Sequence, residues 1–163
     1  MREVLIIRSA GFQQLDKNLP EIVRRFPDSC ISLLTHEHGV QPARRYREIS
    51  HVHVYPHTAG FHPRRRVPEL AGKPFDAVIV LVANLSGSGF LNVLRFALTI
   101  RAKRYYICNL VSEIREVRPA GIRAKHALNL CHAVLAGCLT AIAVPFAAAY
   151  LLLQWKRLSG KKS

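Results

Sequence analysis

Three short stretches carry the residues best suited to chemistry. They are Arg8-Ser9-Ala10-Gly11-Phe12-Gln13-Gln14, Thr35-His36-Glu37-His38-Gly39 and Asn84-Leu85-Ser86-Gly87-Ser88-Gly89. Each follows an aliphatic run that reads as a strand; in the third, small residues ahead of a helical pattern either form a plain tight turn or leave backbone N–H groups free to meet a phosphate or a sugar hydroxyl. Arg8, Gly11, Gln14, Asn84 and Ser86 are therefore the expected ligand contacts. The third loop has neither the GxGxxG pattern nor a Walker loop with its lysine, so no dinucleotide or ATP cofactor is expected. His36 or His38 is the candidate for a catalytic base, a role that needs position as well as pKa.

Six histidines fall between positions 36 and 62: His36, His38, His51, His53, His57 and His62. Imidazoles ligate zinc, but only Glu37 accompanies them and no Cys or carboxylate set has zinc spacing, so no metal is expected. His51 and His53 share one face of a strand. The arginines cluster too, in Arg44, Arg45 and Arg47 and in the run Arg64-Arg65-Arg66. No aromatic platform or recognition-helix pattern interleaves them, which argues against nucleic acid. Their fitting partner is anionic membrane lipid, at ~1 kcal/mol per nearby cation. The whole chain carries 24 Lys and Arg against 10 Asp and Glu, a net +14, which forecasts attraction to phosphate in some form. Cys30, Cys108, Cys131 and Cys138 form no CxxC pair, and reduced thiols in the cytosol are expected.

The elements that must position these residues alternate. Val4 to Ile7, Cys30 to Leu34, His51 to Tyr55, Ala77 to Val82 and Arg104 to Cys108 read as strands, continuous and apolar as buried parallel strands are. Leu15, Leu19, Ile22, Val23 and Phe26 recur at helical spacing. Pro42 to Glu48 reads as a short basic helix and Gly89 to Ile100 as a longer one. Strands alternating with helices predict a parallel sheet with right-handed crossovers, hence an α/β, Rossmann-like domain over residues 1–112. In such sheets ligands bind beyond the carboxyl ends of the strands, where the three loops fall. An open cleft lined by Arg8, Gln14 and Asn84 would mark a ligand site. A filled edge would mark an interaction domain.

The clearest signal is the tail. Ala133 to Leu153 is 21 residues without a formal charge. Such a run can cross ~30 Å of hydrocarbon. Arg115, Arg118, Arg123 and Lys125 precede it, and Trp155, Lys156, Arg157, Lys161 and Lys162 follow it, suiting interface and headgroups. Pro145 removes one backbone hydrogen bond mid-run, so a bent re-entrant helix stands beside the favoured full span. The expected organisation is a basic juxtamembrane linker at 113–126, a membrane helix at 127–155 and a basic tail at 156–163. No signal peptide is visible, because Met1-Arg2-Glu3 runs straight into a strand. The expected location is the inner, cytoplasmic membrane with the soluble domain facing the cytoplasm.

The order of residues also resembles a known family. Glu3-Val-Leu-Ile-Ile-Arg8, the step to Pro20, Arg25-Phe26-Pro27-Asp28 and the strand Ile31-Ser-Leu-Leu are similar to the start of the family-nine glycosyltransferases, the heptosyltransferases of lipopolysaccharide synthesis. The run Ile49-Ser-His-Val-His-Val-Tyr-Pro56 and then Phe75-Asp-Ala-Val-Ile-Val80 resembles the same acceptor-side half, so that the likeness covers about residues 3–110. It implies one half-domain of the two-domain GT-B architecture, a lipid-linked glycan acceptor, and a partner glycosyltransferase subunit for donor binding. The family's general base is an Asp after the first strand; the matching positions here are Gln13 and Gln14, and an amide takes no proton from a sugar hydroxyl. Asp16, the nearest carboxylate and a further catalytic candidate beside His36 and His38, lies two residues further along a helix and so projects about 200° away. The resulting expectation is a membrane-anchored, glycosyltransferase-like protein of envelope glycan assembly, or a non-catalytic scaffold subunit of such a complex.

Overall fold

The computed structural model describes residues 2–159, and within 148–159 only the side chains of Tyr150 and Leu151. The chain forms two compact units, Met1–Arg123 and Ala124–Ser163.

The first unit is a six-stranded sheet. Its strands are β1 Arg2–Ile7, β2 Ser29–His36, β3 Ile49–Tyr55, β4 Phe75–Leu81, β5 Ala102–Cys108 and β6 Ile114–Glu116, in spatial order β3-β2-β1-β4-β5-β6. The first five run parallel, and only β6 is antiparallel, against β5. The strand order reverses between β1 and β4. Helix α1, Phe12–Arg25, lies on one face; α2, Val40–Ala43, and α3, Leu91–Ala97, complete the short helices.

The continuous apolar strands are explained by burial on two faces. Alternate residues of β1 enter different cores. Val4 and Ile6 pack with Leu15, Leu19 and Ile22 of α1. Leu5 and Ile7 pack with Phe61, Phe75, Phe96 and Ile100. All four β1 side chains are fully buried, each worth roughly 1.5–3 kcal/mol relative to exposure. The second core also holds an aromatic cluster, with Tyr55 and Phe61 ring centres 4.6 Å apart and Phe61 and Phe96 at 5.3 Å.

Several boundaries differ from those the sequence predicts. The segment expected as a loop from Thr35 continues as strand to His36 and then coils into a 3-10 turn at Glu37–Gly39, leading into α2. Ladder bonding to β3 extends as far as His36 and Tyr55, which is why strand outlasts the apolar run. The basic helix expected at Pro42 to Glu48 is the shorter, earlier α2. The expected helix from Gly89 to Ile100 is trimmed to Leu91–Ala97, because Phe90 has a non-helical backbone at the start and the chain tightens at Thr99. The expected linker at 113–126 contains β6, and helix begins at Pro119. Proline at a first helical position is pre-organised for it. Ile122 is buried in the same core as Phe75 and Phe96.

Helix α4, Pro119–Ser159, is 41 residues long and passes Pro145 without interruption. Over Pro119–Ala147 it is long and apolar enough to cross a membrane, and none of its most apolar stretch is buried. Leu135, Leu139, Ile142, Val144 and Phe146 are all exposed. Side chains at Trp155, Lys156 and Arg157, and Lys161 and Lys162 entirely, lie outside the described residues.

Candidate functional site

The turn of strand order puts the ends of β1 and β4 side by side, the place where sheets of this kind form a crevice. The Ser9 hydroxyl donates to the Leu81 carbonyl across it. Arg8 lies buried at its base. Its Nε donates to Thr35 Oγ1 at 2.8 Å and its Nη1 to the Ala10 carbonyl at 3.0 Å, while Nη2 sits 3.4 Å from His38 Nε2. The guanidinium also covers the Phe12 ring at 4.3 Å. Burial lowers its pKa from the ordinary arginine value. Among the described residues no carboxylate pairs with Arg8.

Gly11 caps α1 from an exposed position, with no side-chain cap. Gln14 is buried, and its amide Nε2 donates to Asn18 Oδ1 at 2.8 Å and to the Asn109 carbonyl at 3.0 Å. Asn84 closes its own loop: Oδ1 accepts from Gly87 N at 2.6 Å and Nδ2 donates to the Ser88 carbonyl at 2.6 Å. Ser86 is exposed, and its Oγ accepts from Ser88 N at 3.2 Å. Gly87, with φ of 71°, takes the left-handed conformation that this turn requires and that favours glycine. Thus all five expected contacts lie at one edge of the sheet, but Gln14 and Asn84 spend their amides on the protein itself.

The amide that sequence reasoning passes over is Asn109. Its side chain collects the edge: Nδ2 donates to the Leu85 carbonyl at 3.2 Å and to Glu113 Oε2 at 3.0 Å, and Oδ1 accepts from Val111 N and Glu113 N. The only available signal is an Asn at a strand end, a residue type that bonds its own backbone two residues on.

An open depression lies further along, beyond the ends of β2 and β3. It encloses about 290 Å³ and is lined by His36, Glu37, His38, Tyr55, His57 and Thr58 among others. His36 stacks on His38 with ring centres 5.7 Å apart and meets Tyr55 edge-on at 5.2 Å. Its Nε2 lies 3.3 Å from the Ala59 carbonyl. Burial, more than that hydrogen bond can offset, holds His36 below the ordinary imidazole value, and the charges of His38 and Arg8 act the same way. Two further cavities, of about 230 and 370 Å³, flank Asp76 and Lys103 at the opposite edge. None of the three is lined by Arg8, Gln14 or Asn84. Asp16 stands apart from all of them, accepting a hydrogen bond from the Tyr46 hydroxyl. Burial and then the Asp16 carboxylate push Tyr46 up to about 12. Among the described residues no group of three His, Cys, Asp or Glu converges as a metal site would require.

No protein-family model matches the chain, and neither curated proteins nor solved structures give a match. Fold and surface alone therefore define the class: a mixed α/β module with a six-stranded, mostly parallel sheet, followed by one long apolar helix with the composition to cross a membrane.

Proposed function

We propose that this chain is a membrane-anchored, Rossmann-like module, akin to the acceptor-side half of the family-nine glycosyltransferases, and that it serves envelope glycan assembly as a non-catalytic docking subunit. The observation that carries this reading is the engagement of Gln14. The resemblance puts the family's general base there. In this chain the position holds an amide that cannot accept the proton, and that amide is tied to Asn18 and Asn109. The hydrogen bond from Ser9 to the Leu81 carbonyl, across the ends of β1 and β4, supports docking over turnover. The exposed apolar length of α4 supports the membrane anchor, and its passage through Pro145 favours a span over a re-entrant hairpin. The inner membrane, a cytoplasm-facing α/β unit and a lipid-linked glycan nearby complete the reading.

The test is purification of the full chain from membranes in mild detergent after cross-linking. A glycan-assembly enzyme recovered in fixed proportion is the expected result. Transfer of a sugar from a nucleotide donor by the purified chain alone would overturn it.

A further inference from the structure

Among the described residues of the α/β unit, three large hydrophobic side chains stand out in solvent: Leu85 at 57 % exposure, Leu110 at 44 % and Val111 at 65 %. Scattered exposed aliphatics are ordinary, but these three are not scattered. Leu110 and Val111 form the tip of the β5–β6 hairpin, and Leu85 sits on the loop after β4 beside it. The two loops are bonded to each other. Leu110 N donates to the Asn84 carbonyl at 3.4 Å, and Asn109 Nδ2 donates to the Leu85 carbonyl at 3.2 Å. Arg115 Nη2 adds a third bond, to the same Leu85 carbonyl, at 3.0 Å.

The tip is also braced from below. Gln14 holds the Asn109 carbonyl, and the Ser112 hydroxyl reaches the Lys17 carbonyl at 3.0 Å and Asn18 Oδ1 at 2.9 Å. Ser112 takes a φ of 61°, a strained choice for a residue with a Cβ, and the fold holds it there. The Asn109 amide and the Ser112 hydroxyl are thus engaged within the protein, while the aliphatic groups of the tip are turned out. A loop that only connected two strands would show the reverse.

The geometry points to Leu85, Leu110 and Val111 as a rigid aliphatic foot that enters the lipid interface of the membrane. Lipid is the occupant for two reasons. The foot is bordered by Arg115, whose Nη2 holds the Leu85 carbonyl and whose Nε lies 3.1 Å from Glu113 Oε1. In sequence, Arg115, Arg118, Arg123 and Lys125 follow the tip at once and lead into the apolar length of α4. An aliphatic tip followed in sequence by a run of cations suits an anionic membrane surface. This inference rests on the reading of α4 as a membrane helix.

Depth-dependent quenching tests it on the full chain, with the native Trp155 replaced by Phe throughout. Single tryptophans are placed by Val111→Trp at the foot, Ile142→Trp in α4 and Ser50→Trp at the opposite, N-terminal edge of the sheet. Each variant is reconstituted in vesicles of mixed zwitterionic and anionic phospholipid, brominated at shallow or deep acyl positions. The expected result is a blue-shifted Val111→Trp emission, quenched several-fold more by shallow bromolipid than that of Ser50→Trp. Emission at Val111→Trp equal to that of Ser50→Trp, with Ile142→Trp quenched by deep bromolipid, overturns the foot and leaves the membrane helix standing. Loss of quenching at Ile142→Trp as well overturns both. A blue shift at Val111→Trp seen in native membranes but not in pure lipid assigns the patch to a protein and also overturns it.

Discussion

Gln14 shows how one side chain changes meaning when its partners are known. Read as a strand-end amide, it is a ligand contact. With both donors taken inside the protein, it is a brace between α1 and the β5–β6 hairpin. Replacing it with Ala removes its two hydrogen bonds, to Asn18 Oδ1 and to the Asn109 carbonyl, the latter keeping only its bond from Ser112 N. Gln14→Ala is expected to destabilise the α/β unit by about 1–3 kcal/mol. Urea unfolding followed by circular dichroism checks this. His53 offers a second residue-scale prediction. Burial keeps it below the ordinary imidazole value of 6.5; Lys73 and His51 act the same way, and Glu69 opposes them. Its Nε2 is buried without a hydrogen bond. The unfolded chain therefore takes up a proton here more readily than the folded one. The stability involved is complete above 6.5 and is lost as pH falls toward the folded value. His36, also lowered, adds in the same direction. The urea midpoint should drop between about pH 7 and pH 5, and His53→Asn should flatten that drop.

At the scale of elements, the passage from β2 into α2 depends on close approach. Gly39 has an ordinary helical backbone, so its glycine is not needed for conformation. It is needed for space. A Cβ there would collide with Thr35 Oγ1 and come within 2.8 Å of Arg8 Nη2. Both neighbours are buried and bonded to one another, so neither yields easily. Gly39→Ala should cost roughly 1–3 kcal/mol as an overpacked site. Amide exchange quickened along β2 and the 3-10 turn is the expected signature, and unchanged exchange would remove the argument.

Two units of opposite character make up the whole molecule. One buries its aliphatic strands on both faces; the other exposes an apolar helix along its described length. The second arrangement becomes favourable where lipid or another apolar surface covers the helix. A charge at its centre should act accordingly. Ile142→Arg is expected to weaken insertion by ~3 kcal/mol. Alkaline carbonate extraction should then move protein from the pellet to the supernatant, while the unaltered chain stays with the membrane.

Composition and periodicity alone determined the parallel α/β unit and the apolar tail. Both follow from patterns local to the chain: continuous Val, Ile and Leu runs of strand length, and 21 uncharged residues in a row. The same information put Arg8, Gly11, Gln14, Asn84 and Ser86 at one edge, because strand ends follow from strand positions. Whether those groups were free did not. Gln14 meets Asn109 across 95 positions of sequence, and Ser9 meets Leu81 across 72. Hydrogen bonds of that reach depend on the sheet order, which no local pattern encodes. Tertiary structure therefore decided that Gln14 and Asn84 are engaged within the protein, that His36, His38, Tyr55 and His57 share a depression, and that Leu85, Leu110 and Val111 stand together in solvent.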